Sequence, residues 1–222
     1  MASKRPRTAE AISHHEVDTS KLSLTVNDGK DGRKFVRVVL DDVIPLINLT
    51  PTGSLKVVYG FDMTGKMEPR SFNSDAPAKP NESLGLRVAV DNDLAKTLQR
   101  MDDRCHELCE EMKGGNMAEE WMHLLSTTKE GHSLTVKLHI GLKGECTAIK
   151  FLDGEVKKGE GWDFVKEIDP DGFRYAVVKA AVKPKIWEVA GKCGVSLVVT
   201  ELFVKPEPKP VKKAIFADDI EW

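Results

Sequence analysis

Cationic and aromatic side chains interleave along this chain in six short runs: Arg33, Lys34, Phe35 and Arg37; Lys56, Tyr59 and Phe61; Lys150 and Phe151; Lys157, Lys158, Trp162, Phe164 and Lys166; Phe173, Arg174, Tyr175 and Lys179; and Lys183, Lys185, Trp187 and Lys192. Flat rings stack on unpaired bases at roughly 1–3 kcal/mol each while cations follow the phosphates, so the combination suits single-stranded nucleic acid. Such a site tolerates any base, because every base has a π-face. Trp187 is the sharpest candidate. Lys183 to Gly194 (KPKIWEVAGKCG) reads as a polar hairpin tip marked by Pro184, Gly191 and Gly194, where a large ring has little core to enter. Trp162 has a similar setting beside Gly159 and Gly161, whereas Phe35, Phe61 and Phe151 read as core residues of strands. The expected contact set is Arg33, Lys34, Arg37, Lys56, Tyr59, Lys150, Lys157, Lys158, Trp162, Arg174, Tyr175, Lys183, Lys185, Trp187 and Lys192.

Other chemistries find less material. Cys105, His106 and Cys109 invite a zinc reading, but no pair among the four cysteines has the two-residue gap of a zinc knuckle, so no metal and no cofactor is expected. The chain lacks a phosphate-cradling glycine loop with Lys and Ser/Thr, a Gly-x-Ser-x-Gly elbow and a His-Glu-x-x-His helix. Asp41–Asp42 could hold a metal with a distant partner, although a solvated turn explains the pair as well. A binding protein rather than an enzyme is the expectation.

The 222 residues carry a net charge of -2, which excludes binding by bulk positive charge and leaves local charge as the only route to nucleic acid. By segment the net charge is +2 over 1–90, -5 over 91–132, +4 over 133–213 and -3 over 214–222. These segments also differ in periodicity. Arg33–Leu40, Leu55–Phe61 and Leu84–Val90 read as strands. Leu94, Leu98, Met101, Cys105, Leu108 and Met112 recur at helical spacing and predict an amphipathic helix over Asp91–Met112, stopped at Gly114–Gly115. A second short helix is predicted around Met117, Trp121, Leu124 and Leu125. Leu134, Val136, Leu138 and Ile140 alternate with Thr135, Lys137 and His139, which predicts a strand with one wet face. Thr147–Leu152, Phe173–Val182 and Val195–Val204 add three more strands. Asp62–Ser83 reads as an exposed excursion, and Lys205–Lys213 (KPEPKPVKK) as an extended tether.

The order of these pieces, from LGLRVAVDNDLAKTLQRMDDRCHELCEEM to YAVVKAAVKPKIWEVAGKCGVSLVVTELFV and an acidic tail ending in an aromatic residue, resembles the single-stranded DNA-binding proteins of short-tailed coliphages. Related replication proteins occur in large eukaryotic DNA viruses. The likeness covers residues 84–112 and 133–204, and its most specific piece is Lys185, Trp187, Gly191, Val195, Leu197 and Glu201. The resemblance implies a mainly β fold with a helical insertion: an OB-fold barrel of five antiparallel strands, the Asp91–Met112 helix inserted after the third, often as a homodimer. It also implies that an acidic, aromatic C-terminal tip, here Asp218, Asp219, Glu221 and Trp222, contacts polymerase, helicase or primase and competes with DNA for the basic groove. This tip is shorter and less acidic than the phage tails, and Lys212 and Lys213 precede it.

The expected organisation is a flexible N-terminal arm (1–20), an OB-fold domain (21–204) with a helical insertion (91–126), and a tether with the acidic tip (205–222). The expected function is coating and protecting single strands in DNA replication, recombination or repair, as a homo-oligomer that recruits replication proteins. The rival reading is an OB-fold interaction scaffold of a replication complex that does not touch DNA. The N-terminus lacks an apolar signal core and no run of about 18 apolar residues exists, so a soluble intracellular protein without membrane contact is expected. Lys4-Arg5-Pro6-Arg7 leaves the nucleus open as its location.

Overall fold

The computed structural model describes residues 8–28, 34–60, 83–114, 120–129, 131–140, 146–169 and 172–208. They form a mainly β protein with one long helix. In chain order the elements are β1 (Thr8–Ser13), two single-turn 3-10 helices, β2 (Leu22–Asp28), β3 (Lys34–Leu40), β4 (Ile44–Asn48), β5 (Leu55–Tyr59), β6 (Ser83–Val90), α1 (Asn92–Met112), β7 (Glu120–Met122), β8 (Leu125–Thr128), β9 (Gly131–His139), β10 (Ala148–Asp153), β11 (Glu155–Gly159), α2 (Gly161–Ile168), β12 (Ala176–Val189) and β13 (Lys192–Pro206).

Five strands close a circuit of pairings, β5–β6–β9–β13–β12 and back to β5. Four of the pairings are antiparallel, while β9–β13 is parallel, which corrects the all-antiparallel expectation. The helix enters between the second and third strands of this circuit in chain order, not after a third. Inward positions follow the period of two: Val178, Ala180 and Val182 on β12, Leu86 and Val88 on β6, and Leu134, Val136 and Leu138 on β9 are all buried. Their neighbours Lys179, Lys183, Arg87 and Lys137 therefore point outward.

The other strands extend this frame. β2–β3 and β1–β4 attach to β12, and β10–β11 attaches to β13. Buried Thr147 fixes where β10 follows β9 along the same edge of β13: its hydroxyl donates to the Val199 carbonyl at 2.8 Å and accepts from the His139 amide at 3.0 Å. Opposite the register shift at Ala181/Val182, Thr200 is the extra residue of a bulge, and its hydroxyl donates to the Ala181 carbonyl at 3.0 Å.

α1 forms where the periodicity places it. Asp91 caps its N-terminus by accepting from the Leu94 amide at 2.8 Å. Leu94, Ala95, Leu98, Met101, Cys105 and Cys109 make its buried stripe against the core, where a buried leucine contributes about 1.5–3 kcal/mol. Burial raises the thiols of Cys105 and Cys109 to about 12 and about 11, so both stay protonated. His106 instead stacks on Trp121 at 4.7 Å, so the Cys-His-Cys group does not gather around a common point.

Several expectations change here. The second helix predicted around Met117–Leu125 is replaced, over its described residues, by β7 and β8, because Trp121 and Met122 join β13 in parallel register. Within the arm predicted over 1–20, Thr8–Ser13 forms β1 beside β4, and Ser13 closes a capping box with Glu16. β13 runs through Lys205 to Pro206, into the predicted tether. Asp41 and Asp42 sit in a turn with φ of 48° and 62°, and Asp41 lies 3.7 Å from Lys21. Among the described residues no helix is long and apolar enough to cross a membrane.

Candidate nucleic-acid interface

Side chains far apart in the chain meet on the outward side of the strand circuit. Lys185 stands opposite Arg37 of β3 on one side and Ser196 of β13 on the other. Lys183 stands opposite Val198, which stands opposite Lys137 of β9, itself opposite Gly85 of β6. Thr135, Arg87 and Tyr59 make another row across β9, β6 and β5. Arg37, Lys183, Lys185 and Lys137 thus gather beside Trp187, and Arg87 stands opposite Tyr59 on the following strands β6 and β5.

Trp187 is not at a loop tip. It lies within β12, paired with Gly194, while the chain reverses at Ala190–Gly191, both with positive φ. Its indole is half-buried. A methyl at Gly194 would stand 3.4 Å from the indole Cζ2 and Nε1 and 2.5 Å from the Met122 carbonyl oxygen, so only glycine lets ring and β7 approach together. The Lys137 ammonium lies 5.7 Å from the ring centroid, within cation–π range. Tyr59, at the far end, is 67% exposed. Next to it, Gly60 admits the backbone of Gly172 and Arg174, which a Cβ there would meet within 2.8 Å.

This surface is short of negative charge. Among the described residues no carboxylate comes within 4.0 Å of Arg37, Lys137, Lys183 or Lys185. Arg87 donates to the Ser133 hydroxyl at 2.9 Å, which orients the guanidinium without neutralising it. Lys137 shows the cost of the crowding: desolvation first, and the charge of Lys185 second, hold its ammonium below the usual lysine range although its chain reaches solvent. A neighbouring negative charge would offset both by favouring the charged form.

The expected contact residues divide accordingly. Arg37, Lys183, Lys185 and Trp187 fall on this surface, Tyr59 stands opposite Arg87, Lys56 stands opposite Val177 of β12, and Arg174 is exposed. Lys192 is engaged elsewhere, 3.2 Å from Glu120 at the ribbon's end. Lys150 is ion-paired with Glu201; on β11, Lys158 stands opposite Lys150, on the same side as Phe203 and Lys179, and Lys157 stands opposite the buried Phe151. Tyr175 is half-buried, with its carbonyl accepting from the Glu207 amide at 2.7 Å. Arg33, the side chains of Lys34 and Trp162, and the tip residues Asp218, Asp219, Glu221 and Trp222 lie outside the described residues. Lys137 and Arg87 are absent from the expected set. The alternation Thr135-Lys137-His139 marks Lys137 as outward, but only the pairing of β9 with β13 brings it within reach of the Trp187 ring.

No protein-family model and no curated protein sequence matches the chain. Among solved structures, the single-stranded DNA-binding protein of bacteriophage Enc34 is similar to it in two forms. In complex with single-stranded DNA it is 10% identical, with a TM-score of 0.44 over 86% of this chain and 98% of that one. Without DNA it is again 10% identical at 0.44, over 89% and 96%. The gp2.5 single-stranded DNA binding protein of bacteriophage T7 is 11% identical, with a TM-score of 0.41 over 77% and 94%.

Proposed function

We propose that this chain binds single-stranded DNA without sequence preference, across the outward face of the strand circuit, in replication, recombination or repair. The observation that carries the reading is the gathering of Arg37, Lys137, Lys183 and Lys185 beside Trp187, with no described carboxylate paired to the four cations. The circuit is read as an OB-type barrel, whose strand face presents such a surface to oligonucleotides.

In this reading phosphates take the places that carboxylates would otherwise fill. Arg37, Lys183 and Lys185 meet the backbone, and a base arriving on the Trp187 ring displaces the Lys137 ammonium toward the adjoining phosphate. Tyr59 offers a second ring at the other end, with Arg87 opposite it. Duplex DNA hides its base faces and cannot use the rings, so preference for single strands follows from the same geometry. The acidic tip, Asp218, Asp219, Glu221 and Trp222, takes the role of recruiting replication proteins in this scheme.

Titration of a labelled thymidylate oligonucleotide against a duplex of equal length tests the reading. The expected result is much tighter single-strand binding that weakens steeply with salt, since each phosphate contact on a single strand contributes about -0.7 to the slope of log K against log salt. Equal affinity for the two forms would defeat it.

A further inference from the structure

A second feature lies farther along the same outward side of β12. Lys179, Ala181, Lys183, Lys185 and Trp187 occupy alternate positions of one strand, so they share a face over about 26 Å at about 3.3 Å per residue. At the Lys179 end a shallow cavity of about 360 Å³ opens between β1, β4, β12, β13 and β10. Ala11 and Ala181 line it with small side chains, Phe203 contributes a half-buried ring, and Lys150, Lys179 and Glu201 bring charge. Register explains the gathering: Lys179 stands opposite Phe203, Phe203 opposite Lys150, and Ala181 opposite both Glu201 and Asn48. Lys150 and Glu201 pair with each other, which leaves Lys179 as the cation of the cavity without a described carboxylate partner.

We infer that this cavity holds one unpaired nucleotide of the bound strand, its base against Phe203 and its phosphate on Lys179, so that the strand runs along β12 from Trp187 to Phe203. The inference rests on the single-stranded DNA reading above and extends it. A ring flanked by an unpaired cation, continuous with a row of lysines on the same face, matches a nucleotide in both charge and shape. A protein segment rich in acidic residues would satisfy the lysines but leave the ring unused. Glu201 sets a limit on the affinity, because its carboxylate engages Lys150 and repels phosphate.

The test measures affinity by fluorescence anisotropy for thymidylate oligonucleotides from about 4 to about 16 nucleotides, the span of single-strand site sizes on one OB fold. The proteins are the full chain and its Lys179→Gln, Phe203→Leu and Glu201→Gln variants, each checked by thermal melting. Wild-type affinity is expected to step up once the oligonucleotide reaches from Trp187 to the cavity. Lys179→Gln and Phe203→Leu remove that step, a loss of about tenfold for long oligonucleotides, and leave short ones unaffected. Glu201→Gln, which frees Lys150, tightens only the long ones. Exposed Lys179 is replaceable without loss of packing, so its variant decides the matter even if Phe203→Leu melts early. Wild-type-like binding by Lys179→Gln at every length, or equal losses at all lengths, overturns the cavity assignment. Failure of the wild-type chain to bind any oligonucleotide instead overturns the parent reading.

Discussion

Lys185 and Lys192 stand on the same two-stranded ribbon, one in the middle of β12 and the other at the start of β13, yet their surroundings are opposite. Lys192 reaches Glu120 at 3.2 Å, and nearby Lys113 reaches Glu188 at 3.0 Å, so the ribbon's end is a set of closed ion pairs. Lys185 has Arg37 on the neighbouring strand and shares its field with Lys137, with no described carboxylate beside it. The same residue type thus fastens α1 and β7 to the ribbon in one place and faces solvent as unbalanced charge in the other. What separates a structural lysine from a candidate phosphate contact here is the partner supplied by the next element, not the lysine or its exposure.

Reversing charge at the open end has the largest expected effect. The double variant Lys183→Glu/Lys185→Glu should weaken single-strand binding by roughly a hundredfold or more at low salt, because it removes two phosphate contacts and adds repulsion. Filter binding or anisotropy reads this directly, and a loss below about threefold would erase the distinction between the two ends. Trp187→Ala comes next, with a loss of roughly 1–3 kcal/mol in binding. Because the ring is half-buried over Gly194, some fall in melting temperature accompanies it. A collapsed melting temperature with unchanged affinity of the folded fraction would make Trp187 a packing residue.

Lys137→Gln sharpens the comparison from the stability side. Folding lowers the Lys137 pKa, so between that value and the ordinary lysine range the unfolded chain binds more protons than the folded one. Wild-type stability should therefore rise with pH through that alkaline window, and the rise should shrink in Lys137→Gln. The variant should be the more stable protein below the window while binding DNA severalfold more weakly. Thermal melts across alkaline pH check the first part, and a variant less stable than wild type at neutral pH would contradict it. The smallest effects belong to Lys157→Gln and Lys192→Gln, each within about twofold of wild-type affinity, as expected of exposed or ion-paired lysines outside the track. If Lys192→Gln weakened binding as much as Lys185→Gln does, the two ends of the ribbon would be functionally alike.

The fold was legible where one strand or helix carries its own period. The stripe from Leu94 to Cys109 marks α1, and the alternation from Leu134 to Ile140 marks β9 and the outward direction of Lys137. Pairing was not legible. The rule that turns outward lysines into a surface is which strand lies next to which, and Lys137 meets Trp187 only because β13 runs parallel to β9. Lys150 stands on the outward side too, but its charge is taken up by Glu201, 51 residues away. Trp121 and Leu125 share a helical spacing with Met117 yet serve two short strands, with Leu124 in the bend between them, because Trp121 and Met122 pair with β13. The hairpin-tip reason that singles out Trp187 does not hold: its place is a strand, and the glycine opposite gives the ring its room.

The proposed interface stands or falls on where the phosphates sit. Measuring the slope of log K against log salt for one thymidylate oligonucleotide, with wild type and with Lys183→Gln/Lys185→Gln, tests this most directly. Two lost contacts at about 0.7 each predict a slope shallower by about 1.4 in the double variant. An unchanged slope would show that these lysines do not touch the DNA backbone.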